Sequence, residues 1–215
     1  MAIQFMNTNS PVQSPSFRQR EKDGRRQRIL SAAEAAFSAG GYHKASLAAI
    51  AREAGLAVGT LYLYFADKAD LYGHVILEKM KQIAVRFEEA LTSSESAPEC
   101  LRAAVHSQFA FHDANPNFLE IFLHQHQVRT SPLHPQHWEE LETLKRRILV
   151  LIEECIVHGQ QRGEFKPGDP RLYAVAFLGV TLQIIRQWIR EQSSGRLSDS
   201  ADFAADVFLG GAQFR

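Results

Sequence analysis

Residues 28–71 read RILSAAEAAFSAGGYHKASLAAIAREAGLAVGTLYLYFADKADL, and this stretch decides the fold. Ile29, Leu30, Ala33, Ala36 and Phe37 recur at the spacing of one helical face, in a pattern running from Arg26 until Gly40-Gly41 stops it. A second short helix is expected from Ser46, whose hydroxyl suits an N-cap, with Leu47, Ile50, Ala51 and Ala54 pointing inward. Gly55 ends it, since a glycine at C′ accepts a left-handed backbone without strain. After the Leu56-Ala57-Val58 turn comes a third short segment, Gly59 to Phe65, too aromatic for an ordinary solvated helix. A helix, a capped helix, a glycine turn and a last short helix make a helix-turn-helix unit, whose final helix enters the DNA major groove.

The residues of that unit suit the task. Gly59 lets the backbone approach base edges closely, and Thr60 offers one hydroxyl and one methyl for a base edge or a thymine methyl. Tyr62 and Tyr64 carry phenols on rigid rings that can donate to phosphate, and Lys68 adds charge beside them. Ser46 can offer a phosphate its hydroxyl and the free N–H groups of its helix, with Lys44 just before it. Leu61, Phe65 and Phe37 are assigned to the core, Tyr64 to the surface, and Tyr62 to both roles. Arg18, Arg20, Lys22, Arg25, Arg26 and Arg28 form a basic arm, suited either to solvation or to contacts with the minor groove and backbone. Beside a groove-reading helix the DNA role is favoured, with Arg25 and Arg26 as candidates.

The stretch closely resembles the amino-terminal domain of the TetR (tetracycline repressor) family of transcriptional regulators. The resemblance rests on Ala33, Phe37, Gly41-Tyr42, Ser46, Ile50-Ala51, Ala54-Gly55, Gly59-Thr60-Leu61-Tyr62, Tyr64-Phe65, Lys68 and Leu71. Ala57 departs from it, standing where the family usually has a capping serine or threonine, at a cost of about 1 kcal/mol. The resemblance implies contact with DNA through the equivalents of the positions above. It also implies that tilt of the following helix, about Asp67 to Leu91, links the two halves of the chain.

The chain has 215 residues, 24 Lys+Arg and 24 Asp+Glu, 45% of them hydrophobic. That balance excludes collagen-like, disordered and disulfide-scaffold classes. Cys100 and Cys155 stand far apart without metal-ligand spacing and read as buried small hydrophobes in a reducing compartment. Residues 1–24 read as a disordered basic leader without an export signal, and the chain as cytoplasmic. The unit at 25–70, with its motif at about 46–65, is followed by a helical effector-binding and dimerisation domain at 71–215. Its helices are expected at about 67–91, 98–114, 116–128, 135–161, 170–192 and 200–209, punctuated by Ser- and Pro-containing joints. The fold class is all-α, with about nine helices.

Leu172 to Ile189 is apolar nearly all round, yet interrupted by Thr181, Gln183, Arg186 and Gln187, which argues against a membrane span. Such a helix buries one face in its own domain and another against a partner. With the stripe of the last helix it predicts a four-helix homodimer interface containing Tyr173, Phe177, Ile185, Trp188, Ile189, Phe203, Val207 and Phe208. Phe109, His112, Phe118, Phe122, Trp138 and Phe177 suggest a cavity for a small, largely apolar effector, though each aromatic fits core packing as well. His134 and His137 could share a helical face, but no third ligand stands at an obvious spacing, so neither a metal nor a cofactor is expected. No enzyme motif is present. The reading is thus a homodimeric repressor of a palindromic operator, released by an effector. The alternative is a helical ligand carrier or protein-interaction module without DNA, which would lack steep salt dependence.

Overall fold

The computed structural model describes residues 17–118, 121, 132–191 and 195–213, and among these the structure is helical, without strands. The helices are α1 (Phe17–Lys44), α2 (Leu47–Glu53), α3 (Val58–Leu61), α4 (Lys68–Leu91), α5 (Ala97–Ala114), α6 (Pro135–Gln161), α7 (Pro170–Arg190) and, after a 3₁₀ turn at Leu197–Ser200, α8 (Ala201–Ala212). Residues 116–118 are also helical, and most of the segment expected to run to Val128, with Phe122, His124 and His126, lies outside the described residues.

The local signals of the first unit are realised as backbone geometry. Gly41 breaks the path of α1 with φ 70° and ψ 174°. Gly55 takes φ +69°; its N–H donates to the Arg52 carbonyl at 3.1 Å, and the Leu56 N–H to that of Ala51 at 2.9 Å. That paired closure is a Schellman ending, available at no steric cost only to glycine. Asp67 caps α4 by accepting from the Asp70 N–H at 2.8 Å. Ile29, Ala33, Phe37, Ile50, Ala51, Leu61 and Phe65 close the small core, and Phe37 meets Tyr72 of α4 edge to face at 4.9 Å. Burial pushes the Tyr72 phenol up to about 12.

The expected disordered leader is corrected where it is described: α1 begins at Phe17, so the basic arm is helical. Its first turns are exposed and owe their order to side-chain pairs one turn apart, Gln19 to Asp23 at 2.8 Å and an Arg25–Glu21 ion pair. Periodicity alone could not find this part of the helix, because it has no apolar face to read.

α4 is common to both halves of the molecule. It packs on α1 at its beginning and on α5 and α6 along its length, while α7 lies on α6 and α8 on α5 and α7. Cys100 and Cys155 are buried free thiols, and burial lifts Cys155 to about 12. α7 is long and apolar enough to cross a membrane by length and composition, but its apolar residues divide between the subunit core and one exposed stripe.

Candidate DNA-binding face and effector cavity

The exposed tip of the helix-turn-helix unit is α3 with the turn after it. Gly59 is exposed with open space where a Cβ would stand, and Thr60 is half-buried beside it. Beyond Leu61 the chain continues in tight turns, Leu63 N–H to Thr60 and Tyr64 N–H to Leu61, rather than as a helix to Phe65. Tyr62, expected to share core and surface roles, is 53% exposed, whereas Tyr64, expected at the surface, is half-buried against the core. Leu63, at 80% exposure, projects beside Tyr62 and was overlooked as a contact candidate. The turn rotates the tip, so alternation along the sequence does not tell which ring faces out.

Ser46 occupies the N-cap of α2 without a side-chain cap bond, which leaves its exposed hydroxyl directed to solvent, and Lys44 is exposed next to it. Ala57 likewise precedes α3 with no side-chain cap. Lys68 is turned inward: its Nζ donates to the His43 carbonyl at 3.2 Å and lies 4.6 Å from the centre of the Tyr42 ring, and burial lowers its pKa. It therefore ties α4 to the end of α1. Arg25 is engaged with Glu21. Arg26 lies over the Phe65 ring, 5.6 Å from its centre, and within 3.2 Å of His74 Nδ1. Both arginines are thus engaged with neighbours on their own chain, Arg25 on the exposed face of α1 and Arg26 over the core.

Between α4, α5, α6 and α7 lies a cavity of about 440 Å³. Its apolar wall comes from Met80, Ile83, Phe87, Ile148, Leu149, Leu178 and Leu182, and its polar groups are Gln108, His112, Glu142, Lys145, Arg146, Arg171 and Arg186. Of the six aromatic and histidine residues expected here, His112 alone is on the described wall. Phe109, Phe118 and Phe177 are at most 1% exposed and fill the core, Trp138 is 45% exposed beneath Lys145, and Phe122 lies outside the described residues. Mainly aliphatic side chains, with Phe87, line the space instead, because Phe109, Phe118 and Phe177 are used to close the helix packing around it.

Two features of the cavity are chemically directional. Gln108 is buried and its Oε1 has no hydrogen-bond partner among the described residues, so this acceptor is available to a ligand donor. Burial lowers His112 to about 4, so it is a neutral imidazole at neutral pH. The rim is cationic. Lys145 pairs with Glu142 at 2.8 Å and Arg171 with Glu153 at 3.0 Å, while Arg146 and Arg186 have no ion-pair partner among the described residues.

The predicted dimer set separates into two faces. Phe177, Ile185, Ile189 and Phe208 are at most 7% exposed and belong to the subunit's own core; Tyr173 and Trp188 are half-buried. Phe203 at 65% and Val207 at 49% are exposed, joined by Leu172 at 65% and Val175 at 49%, which the sequence reading missed. Gly179, Gly210 and Gly211 lie in open space on the same two helices.

A tight joint connects the two halves. His137, in the first turn of α6, meets Asp70 of α4 at 2.7 Å, both buried, and His134 lies 3.1 Å from both carboxylate oxygens of Asp67. Burial works against the Asp70 charge, but the Ala66 N–H and the neighbouring imidazoles outweigh it and hold the carboxyl below its usual range. The Asp67 carboxyl is lowered chiefly by the Asp70 N–H. Sequence spacing could not pair these groups, which stand 67 positions apart.

A helix-turn-helix unit mounted on a long helix, with a hollow helical bundle behind it, defines a one-component DNA-binding regulator. Residues 29–75 match the family described as bacterial regulatory proteins, tetR family, and residues 94–212 the tetracyclin repressor-like, C-terminal domain. The chain belongs to the TetR family and is a DNA-binding transcriptional regulator. It is 26% identical to the fatty acid metabolism regulator protein of Bacillus subtilis, over 89% of this chain and 97% of that protein. The structure of FadR from Bacillus subtilis in complex with stearoyl-CoA is similar, with a TM-score of 0.75, 26% identity and coverage of 86% and 98% of the two chains. FadR from Bacillus halodurans, a fatty acid degradation regulator, gives 0.74 and 25%, with 88% and 99% covered.

Proposed function

We propose that this regulator is a homodimeric repressor whose effector has a long apolar body and an anionic head, of the fatty acyl-CoA class. The observation that carries the reading is the composition of the cavity: an apolar, mainly aliphatic wall for a flexible hydrocarbon and a rim where Arg146 and Arg186 can meet phosphate. The likeness to a regulator solved with stearoyl-CoA supports it. Dimerisation would use Leu172, Val175, Phe203 and Val207, whose exposed apolar stripe spans α7 and α8. Thr60, Tyr62 and Gly59 would enter the groove, with Ser46 and Lys44 on phosphates.

Release follows from the walls. Met80, Ile83 and Phe87 belong to α4, the same helix that begins beside the helix-turn-helix unit, so an occupant that favours a different tilt of α4 changes the spacing of two recognition segments. These must meet major grooves about 34–36 Å apart, and the effector works only through its unequal affinity for the two states.

Fluorescence anisotropy with labelled DNA from upstream of the protein's own gene tests this. Stearoyl-CoA is expected to dissociate the complex, coenzyme A alone is not, and Arg146→Ala with Arg186→Ala should raise the concentration required. DNA binding insensitive to stearoyl-CoA would refute the effector assignment; absence of any salt-sensitive complex would refute the operator assignment.

A further inference from the structure

We infer that Asp70, His74 and His137 form a binding site for a divalent transition metal of the zinc type, set where the helix-turn-helix unit meets the effector half. The three side chains each offer one ligand atom, and these atoms all lie within 4.8 Å of one another. Asp70 and His74 are one helical turn apart on α4 and so share a face, while His137 arrives from α6. Asp70 Oδ1 is 2.7 Å from His137 Nε2 and 3.6 Å from His74 Nε2. Ligand atoms around a tetrahedral zinc are separated by roughly 3.3–3.5 Å, as bond lengths of about 2.0–2.1 Å require. The Asp70–His74 pair is already near that spacing, the Asp70–His137 pair must open, and rotation of the two imidazoles brings their nitrogens, within 4.8 Å of each other, to it. One carboxylate and two imidazoles leave the fourth position to water.

The surroundings fit a ligand set. Asp70 Oδ2 accepts from the Ala66 N–H at 2.8 Å, which orients the carboxylate and leaves Oδ1 for the ion. Gly73 makes the approach of His137 feasible, for a Cβ there would fall 2.3 Å from the imidazole Cδ2. A recess lined by Ala66, Asp67, Asp70, His134, Pro135 and Gln136 opens at Asp70 and gives an ion its way in. The spacing rule that found no third ligand for His134 and His137 looked within one segment; the fold supplies two from α4.

Ligation has a defined consequence for Arg26. Its Nη2 faces His74 Nδ1 at 3.2 Å, a bond that needs Nδ1 free of hydrogen. An ion on Nε2 moves the ring's proton to Nδ1 through solvent, with no net proton lost, and Arg26 loses its acceptor. His137 makes the same exchange, its Nε2 turning from Asp70 to the ion. Arg26 and the ion therefore compete for one imidazole, and the winner decides whether a cation of the basic arm is held or released.

Calorimetric titration of the full chain, stripped with chelator, tests the site with Zn²⁺ alone, and Co²⁺ absorption reports the ligand geometry. One ion per subunit is expected. Asp70→Asn and His74→Gln should each weaken it at least tenfold, whereas Arg26→Gln should tighten it by removing the competitor. Melting curves establish that the variants are folded, and because His74 is one-third exposed, His74→Gln decides alone if Asp70→Asn is not. No binding up to about 100 μM, or binding that both ligand variants leave unchanged, overturns the site. Neither readout involves DNA or effector, so this result stands apart from that of the proposed function.

Discussion

Replacing Phe203 with glutamate is expected to convert the protein to folded monomers. Phe203 keeps 65% of its surface in water within one subunit. For an aromatic of about 200 Å², that leaves ~130 Å² to be covered by a partner. At about 25 cal/mol per Å² the burial contributes about 3 kcal/mol, and a two-fold interface counts it twice, about 6 kcal/mol as an upper bound. Half of this, after ordering costs, still raises the dimer dissociation constant over 100-fold. The glutamate adds the cost of a desolvated carboxylate. Sedimentation equilibrium from nanomolar to micromolar subunit reads the shift directly, and Val207→Asp should reproduce it. Ile185→Asp is the contrasting variant: at 0% exposure its charge enters the subunit core, so it should lower the melting temperature rather than yield a folded monomer. A Phe203→Glu protein that associates as tightly as wild type would refute the assignment of this face, and a stable monomeric Ile185→Asp would show that the core and interface faces have been exchanged.

Further outcomes follow from the same geometry. Thr60→Ala should cost operator binding about 1–3 kcal/mol at one base position, with an unchanged salt slope, whereas Lys44→Ala should lower that slope by about 0.9, as a log–log plot of affinity against salt would show. Gly55→Ala places a Cβ at φ +69° and should destabilise the fold by about 1–2 kcal/mol in denaturant titration, while Gly59→Ala, facing open space at an ordinary backbone angle, should leave stability nearly unchanged and weaken DNA binding instead. Asp113 clamps the 3₁₀ turn by accepting from the Leu197 and Ser198 N–H groups at 2.8 and 3.1 Å. Partial burial opposes its charge, but these bonds and Arg196 hold the carboxyl below its ordinary value. Its stabilisation is thus fully present above the unfolded value near pH 4 and is lost as pH falls through the lower folded value; Asp113→Asn should flatten that part of a stability-against-pH curve. A wild-type slope retained in the variant would refute this role.

Legibility in the sequence tracked the range of the interactions. The Asp67 cap, the Gly55 ending and the proline-led starts of α6 and α7 depend on neighbours within a turn, and the expected boundaries lie close to those observed. The direction in which a residue faces is settled at longer range. α7 is apolar nearly all round, so periodicity cannot separate Phe177, Ile185 and Ile189, which face the subunit core, from Leu172 and Val175, which face out. Aromatic residues drew attention as a pocket because they are large, yet that same size makes Phe109, Phe118 and Phe177 the fillers that close the bundle. The aliphatic residues that do line the cavity carry no distinguishing signal. Tyr64 lies against the core rather than at the surface because a turn, whose hydrogen bonds run back to Thr60 and Leu61, follows α3 and redirects its ring.

The cavity and the joint occupy the same two helices, and this constrains how one can act on the other. On α4, Asp70 and Met80 are separated by about 15 Å of helix at 1.5 Å per residue; on α6, His137 precedes the cavity residues Glu142, Lys145 and Arg146 by one to three turns. An occupant that spreads these helices at the cavity must therefore either carry the His137–Asp70 and His134–Asp67 contacts with it or break them. The buried pair is the stiffer of the two, since separating it leaves a carboxylate in a site where burial opposes its charge. Movement at the cavity would thus be passed to the beginning of α4 as displacement of the whole joint, together with Phe65, whose ring meets His74 at 5.4 Å. A joint of flexible surface lysines would dissipate the same motion in side-chain rotation. Under the proposed function the His–Asp contacts would convert an effector's preference between two helix spacings into a preference between two orientations of the DNA-reading tip, and that preference would set the upper limit of the regulation.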